Sequence, residues 1–244
     1  MCTNYAPVQQ RILREIFGVE PPPGLYPEET WPDYAAPIVR AGTAHPREGV
    51  LATFGMVPRT RTPPGARRYD TTNARSETVG EKPTFAPAWR QGQLCLVPAS
   101  AFYEYAYPED GTPEQPGRAE RWKIWLPDAP AFGIAGLWRA WPDQSLSFTM
   151  LTVNAEAHPL LRRMHRPGAE KRSVVIVPPA EWDDWLHCRD RELARSFLRL
   201  LPADAMRAEP APVVRAPKQA AQATRGNPAR DGRVADDDAE PSLF

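Results

Sequence analysis

The sequence predicts an α+β fold: one domain in which a bent, mainly antiparallel, barrel-like β-sheet is flanked by helices. Two observations lead there. Helical periodicity opens the chain and returns only near its end, with a long series of short strand-like runs between, an order foreign to a doubly wound α/β fold. Those runs are separated by Pro- and Gly-bearing loops, and proline reaches 30 of 244 residues. A composition of 42% hydrophobic and 25% charged residues is ordinary for a globular protein.

Residues 7–17 read as a helix. Pro7 suits its first turn, Ile12, Leu13, Ile16 and Phe17 form an apolar stripe, and Gly18 follows as the stop. Residues 19–34 are a Pro-rich loop. Strands are expected at 37–41, 50–57, 71–79, 94–97, 101–106, 121–126, 132–138, 146–153 and 172–177. Val174 to Val177 form the continuous apolar run of a buried strand, whereas Trp122, Ile124 and Leu126 alternate with Arg121, Lys123 and Trp125 as in a half-buried one. Helices follow at about 155–164, 180–188 and 190–200, with Trp182, Trp185 and Leu186 on one apolar face and Leu193, Phe197 and Leu198 on another. The domain is expected to span 1–216. Residues 217–244, rich in Ala, Arg, Pro and Asp and poor in large apolar side chains, read as a disordered tail. No internal repeat is visible.

Bulk properties exclude several classes. No basic n-region precedes an apolar h-region at the start, so no signal peptide is expected. No apolar run nears the roughly 18 residues of a membrane span. Cys2, Cys95 and Cys188 are an odd set without C-x-x-C, and no H-x-x-H or H-E-x-x-H spacing occurs. Neither a disulfide framework nor a metal site or cofactor is therefore expected. The expected compartment is the reducing cytoplasm. G-x-S-x-G, Walker A and G-x-G-x-x-G are absent, which leaves hydrolase, nucleotide and dinucleotide readings without an anchor.

Net charge is zero, but basic residues cluster. Arg59, Arg61, Arg67, Arg68 and Arg75 face only Asp70 within 59–75; Arg162, Arg163, Arg166, Lys171 and Arg172 face only Glu170 within 162–172. Each cluster alone reads as a solvated loop. Two of them meeting at one cleft would suit a phosphate backbone.

The chemistry begins at Cys2. With Met1 removed, it offers an amine and a thiol on adjacent carbons, a pair that captures aldehydes: the amine condenses to an imine and the thiol closes a thiazolidine. Alternatively, the thiol is a nucleophile with its own α-amine as base. In Asn73-Ala-Arg-Ser-Glu-Thr-Val79, strand alternation puts Asn73, Arg75 and Glu77 on one side, either as a plain polar face or as a cleft wall where Arg75 holds an anion and Asn73 orients a reacting group. In Cys95-Leu-Val-Pro-Ala-Ser-Ala-Phe-Tyr-Glu-Tyr105, Glu104 shares a face with Phe102 and Ala106. It is either an edge glutamate facing water or a carboxyl whose pKa rises among apolar neighbours, as a general acid/base requires. His45, His158, His165 and His187 are the only histidines; His158 and His165 flank a short basic stretch.

These stretches resemble the SOS-response-associated peptidase family, proteins that crosslink to abasic sites in single-stranded DNA. The resemblance runs from residue 2 to about 216. It rests on Met1-Cys2, Phe54-Gly-Met-Val-Pro58, Asn73-Ala-Arg-Ser-Glu-Thr-Val79 with Glu81-Lys-Pro83 and Phe85, Cys95-Leu-Val-Pro-Ala99 running into Phe102-Tyr-Glu104, and Gly133-Ile-Ala-Gly-Leu-Trp138. It implies that Cys2, once Met1 is lost, forms the thiazolidine with the abasic aldehyde, that Asn73 aligns the intermediate, that Glu104 shuttles protons, and that His165 assists ring opening and β-elimination, with His158 in reserve. It implies that Arg75 contacts the DNA backbone; Arg59, Arg61, Arg67, Arg68, Arg162 and Arg166 are the further candidates. A monomer acting on single-stranded DNA, at the nucleoid when bound, is expected, with self-peptidase and lyase activity.

The sequence departs from the family where Thr3 and Asn4 replace Gly-Arg, where Phe54 and Tyr105 replace Trp at positions that bear on base stacking, and where His165-Arg-Pro-Gly-Ala-Glu-Lys-Arg172 is longer than the usual His-x-Arg-Met-Pro. Two other readings stand beside it: a glutaminase-like N-terminal-nucleophile amidohydrolase, and a non-catalytic single-stranded DNA-binding module.

Overall fold

The computed structural model describes residues 2–213. The segment 217–244, expected to be a tail, lies outside the described residues. In chain order the elements are β1 (Asn4–Pro7), α1 (Gln10–Glu15), β2 (Ala35–Ala41), β3 (Arg47–Phe54), β4 (Asn73–Arg75), α2 (Ala86–Arg90), β5 (Leu94–Ala106), β6 (Glu120–Trp125), β7 (Phe132–Ala140), β8 (Leu146–Asn154), β9 (Arg172–Val174), β10 (Ile176–Val177), α3 (Trp182–His187), α4 (Arg191–Ser196) and β11 (Arg207–Pro210).

All the strands join one sheet. The path β7–β8–β3–β2–β5 returns to β7 through a direct β5–β7 pairing, so the sheet curls into a ring without becoming a regular barrel. Pairing is antiparallel except where β3 and β4 run parallel to β8. This is the bent, mainly antiparallel sheet the sequence predicts.

Strand alternation sorts the ring's side chains into two cores. Cys95, Val97, Phe102, Ile134, Phe148 and Met150 join Cys2, Tyr5 and Phe54 in one. Leu94, Leu96, Ala135, Leu137 and Leu151 face the other way, where Leu13, Phe17, Trp182, Trp185 and Leu186 from the helical segments cover them. Trp182 stacks on Phe17 at 4.4 Å, and Trp185 Nε1 donates to the Cys95 carbonyl at 2.9 Å, fixing α3 to β5. No described helix is long and apolar enough to cross a membrane.

Several boundaries differ from expectation. Pro7 closes β1 rather than opening a helix; it lies opposite Ala99, and α1 starts only at Gln10. The runs 94–97 and 101–106 are one 13-residue strand, because Pro98 is accommodated at a position opposite Gly133. The run 172–177 is two strands, β9 on β8 and β10 on β7, so it bridges neighbours. The expected helix at 155–164 is only a 3-10 turn at Leu161–Arg163. Leu193, expected on the apolar face of α4, is 56% exposed, and Ala194 is buried instead. The strand expected over 71–79 ends at Arg75, where the Thr78 amide turns back to the Arg75 carbonyl, so Glu77 belongs to a turn.

Candidate active site

β1 carries Cys2 to the site. Its antiparallel register on β5 sets Asn4 opposite Tyr103 and Tyr5 opposite Phe102, so the chain preceding Asn4 runs alongside Glu104 and Tyr105. Asn4 secures this register. It is buried, its Oδ1 accepts from Arg121 Nη2 at 2.6 Å and Nε at 3.1 Å, and its Nδ2 donates to the Thr30 carbonyl at 3.2 Å. Arg121 lies 3.6 Å from the Tyr103 ring centroid and pairs with Glu29 at 2.7 Å. Where the resembled family has Arg after Gly, this chain thus has a structural amide.

Cys2 is fully buried. Its Sγ donates to the Asn4 carbonyl at 3.4 Å, and burial, reinforced by the nearby Glu104 charge, pushes the thiol up to about 12. From β4, Asn73 Nδ2 donates to the Cys2 carbonyl at 2.7 Å and to Thr72 Oγ1 at 2.9 Å. The Asn73 Oδ1 is buried with no hydrogen-bond partner among the described residues. A buried unpartnered acceptor costs free energy, of about 1–3 kcal/mol, and this one belongs to the amide that holds the Cys2 carbonyl.

Glu104 is 4% exposed, which excludes the reading as an edge glutamate facing water. Burial raises its carboxyl to about 7. His165 Nε2 stands 3.3 Å from Glu104 Oε2, and burial pushes the imidazole down to about 4. At neutral pH the contact therefore joins an uncharged imidazole to a half-protonated carboxyl rather than forming an ion pair. The His165 backbone has φ of 69°, in the left-handed region, and its amide donates to the Tyr105 carbonyl at 2.7 Å. Strained φ at a non-glycine residue persists only where the surroundings enforce it. An isolated Ala106–Met164 bridge and Lys171 Nζ, bonded to the His165 carbonyl at 2.8 Å, do so.

His158 is placed elsewhere. Its Nδ1 accepts from the Leu160 and Leu161 amides, which leaves Nε2 to donate to the Leu201 carbonyl at 2.9 Å. It stabilises a turn and does not face Glu104.

Glu104 and His165 open onto a cleft of about 650 Å³ whose lining includes Thr3, Arg75, Tyr105, Tyr107, Arg166 and Arg172. Asp70 links it to a second hollow lined by Arg59 and Arg68. The two basic stretches do meet, but only in part. Arg61, bound to Asp143 and 5.1 Å from the Trp141 ring centroid, lines neither hollow, nor do Arg67, set over Tyr69, and the exposed Arg162. Phe54 is fully buried, 5.1 Å from Phe148 in a stack, so no base can reach it; Tyr105 is 43% exposed at the cleft.

Arg172 and Glu170 also line the cleft; in the sequence both appear only as members of the charged stretch 162–172, with no role of their own. A basic residue heading a buried apolar run was the available signal for Arg172. Among the described residues no group of three or more His, Cys, Asp or Glu could hold a metal ion.

Comparison with known proteins places this arrangement. The model of the SOS response associated peptidase (SRAP) family matches residues 1–216. Abasic site processing protein YoqW of Bacillus subtilis is 29% identical over 144 residues, 57% of this chain and 59% of that protein. The match thus spans less than two thirds of that relative's length. A protein of Bordetella bronchiseptica known from its crystal structure is 33% identical, with a TM-score of 0.74 over 87% of this chain and 100% of its own. One from Bacteroides thetaiotaomicron shares the fold, with a TM-score of 0.64 at 18% identity, covering 85% of this chain and 90% of its own. A family match over residues 1–216, on a ring-like sheet shared with these structures, establishes that the chain belongs to the SOS response associated peptidase family.

Proposed function

We propose that this protein captures abasic sites in single-stranded DNA by forming a thiazolidine with Cys2 after Met1 is removed. The observation that carries the reading is the hydrogen bond from Asn73 to the Cys2 carbonyl beside the buried Glu104–His165 pair. The name of YoqW, an abasic site processing protein, supports the same substrate.

The chemistry follows from those groups. Hydrolysis of the Met1–Cys2 peptide bond leaves a free amine on Cys2, with a reference pKa of about 7.7–8.0. The amine adds to the aldehyde carbon of the ring-opened sugar, forming a C–N bond and a carbinolamine. Loss of water needs an acid at the departing hydroxyl, and Glu104, poised near neutrality, can supply that proton and recover one later. Asn73 holds the Cys2 backbone with its Nδ2 and presents its unpartnered Oδ1 to the reacting nitrogen or hydroxyl. The thiol then adds to the iminium carbon: a C–S bond forms, the C=N π pair moves onto nitrogen, and the thiol proton passes to the Glu104 carboxylate. Burial keeps the thiol protonated until the iminium charge arises next to it and lowers its pKa. This ordering favours imine before ring closure. The Glu104–His165 pair is also placed to move protons in Met1 removal and in β-elimination at the sugar, the self-peptidase and lyase steps. Arg75 and Arg166 supply backbone contacts at the cleft, and Tyr105 a stacking face.

The test is incubation of the mature protein with an oligonucleotide carrying one abasic site, followed by a denaturing gel. A heat-stable shifted band is expected from the wild type and none from Cys2→Ala. A Cys2→Ala band of equal intensity would overturn Cys2 as the point of attachment, and no band from either protein, with binding retained on a native gel, would favour the non-covalent DNA-binding module. Glutamine hydrolysis without any band would favour the amidohydrolase.

A further inference from the structure

In the long segment between His165 and β9, Glu170 projects its carboxylate between two guanidinium groups of the cleft. Its Oε2 lies 2.8 Å from Arg75 Nη1, and its Oε1 bonds Arg172 Nη1. The two arginines differ in how they are held. Arg172 is buried and fixed by other partners: Nη2 reaches the Thr152 carbonyl at 2.8 Å and Glu77 at 2.7 Å, and Nε reaches Thr152 Oγ1 at 3.2 Å. The Arg75 side chain is 53% exposed. Glu170 is itself exposed, two residues after Gly168, whose φ of 75° allows the chain to turn.

An anion held by two guanidinium groups, one buried and one exposed, is the geometry in which a phosphodiester is bound, through paired N–H donors to two oxygens. All three residues line the same cleft as Glu104 and His165. We propose that Glu170 is an internal stand-in for a backbone phosphodiester, occupying the Arg75–Arg172 position until a DNA strand displaces it. The proposal rests on the reading that this cleft seats the DNA backbone. Displacement from Arg75 is physically accessible because the Glu170–Arg75 pair joins two exposed side chains, where ion pairs are weak and screened by solvent. It leaves the fold undisturbed, since Arg172 keeps Thr152 and Glu77. The consequence is a competitive threshold: a strand must out-compete a tethered carboxylate before its phosphate reaches Arg75.

The experiment is fluorescence anisotropy with a labelled single-stranded 12-mer lacking any abasic site, which separates backbone binding from covalent capture. Wild type, Glu170→Gln, Arg75→Gln and the double variant are titrated, with thermal melts confirming that each is folded. Glu170→Gln is expected to bind roughly three- to tenfold tighter than wild type, the scale of one exposed ion pair. Glu170→Ala is expected to do the same. In the Arg75→Gln background the gain is expected to vanish, because the two residues act on one position. Weaker or unchanged binding by both Glu170 variants, while Arg75→Gln loses affinity, overturns the proposal alone. A gain that persists without Arg75 also overturns it, since that is a long-range charge effect. Equal binding by wild type and Arg75→Gln removes the cleft as the DNA seat, and the proposal with it.

Discussion

At the scale of single residues, the site is governed by burial acting on two titratable groups in opposite senses. Glu104 is pushed up to about 7 and His165 down to about 4. If Glu104 is the acid for water loss, capture requires its protonated form and the unprotonated Cys2 amine. The rate is then expected to rise with the amine's titration near 8 and fall as Glu104 deprotonates above about 7, giving a bell with its maximum between. Glu104→Gln is expected to lose the falling limb and slow capture by roughly 10²-fold or more, measured by quenched gels across pH. The same shift affects stability. A carboxyl raised from 4.5 to about 7 favours folding below 4.5, and this contribution is lost as pH climbs through 7. Glu104→Gln is therefore expected to be more stable than wild type at pH 8, by on the order of 3 kcal/mol, with the gap closing by pH 4.5; denaturant titration at the two pH values reads it. For Cys2→Ser, the amine survives but the thiol does not. Its adduct is expected to stop at the imine, trapped by borohydride and lost on heating without it.

At the scale of elements, a four-residue strand positions Cys2. β1 is held on β5 by Asn4, whose side chain satisfies the buried Arg121. Asn4→Ala leaves that guanidinium short of an acceptor and is expected to cost about 1–3 kcal/mol in chemical denaturation, and to slow capture by loosening Cys2. β1 was not legible in the sequence: Asn-Tyr-Ala-Pro is short, and Pro7 reads more naturally as a helix start. β11 was missed for the same reason, its Arg-Ala-Glu-Pro being polar and its place on β6 set by long-range pairing. The long strands were legible because each buries one or both faces. Within the site, the apolar neighbours of Glu104 in sequence showed that burial was possible, whereas its contact with His165 depends on a bridge between Ala106 and Met164 that no local pattern encodes. The same holds for Glu170, which reads as a loop acid until Arg75 and Arg172 are seen on either side of it.

At the scale of the whole molecule, the ring brings the amino-terminal strand, β4 and the segment before β9 to one cleft although they are far apart in sequence. Net charge is zero, so the proposed affinity for DNA has to come from local fields at the arginines of the cleft. Encounter with intact single strands is expected to weaken with salt, with a log–log slope of about −0.7 for each phosphate neutralised. A preformed adduct is expected to persist in concentrated salt, because its attachment is covalent; gels run before and after a salt challenge distinguish the two stages.

The complete burial of the Cys2 thiol bears on the conditions under which DNA loses bases. Peroxide and disulfide reagents attack thiolates that solvent can reach. A thiol held protonated and out of solvent is a poor target for both. On the proposed reading, in which Cys2 is consumed in capture, the fold keeps that reagent reduced through an oxidative burst until the damage left by it has to be handled.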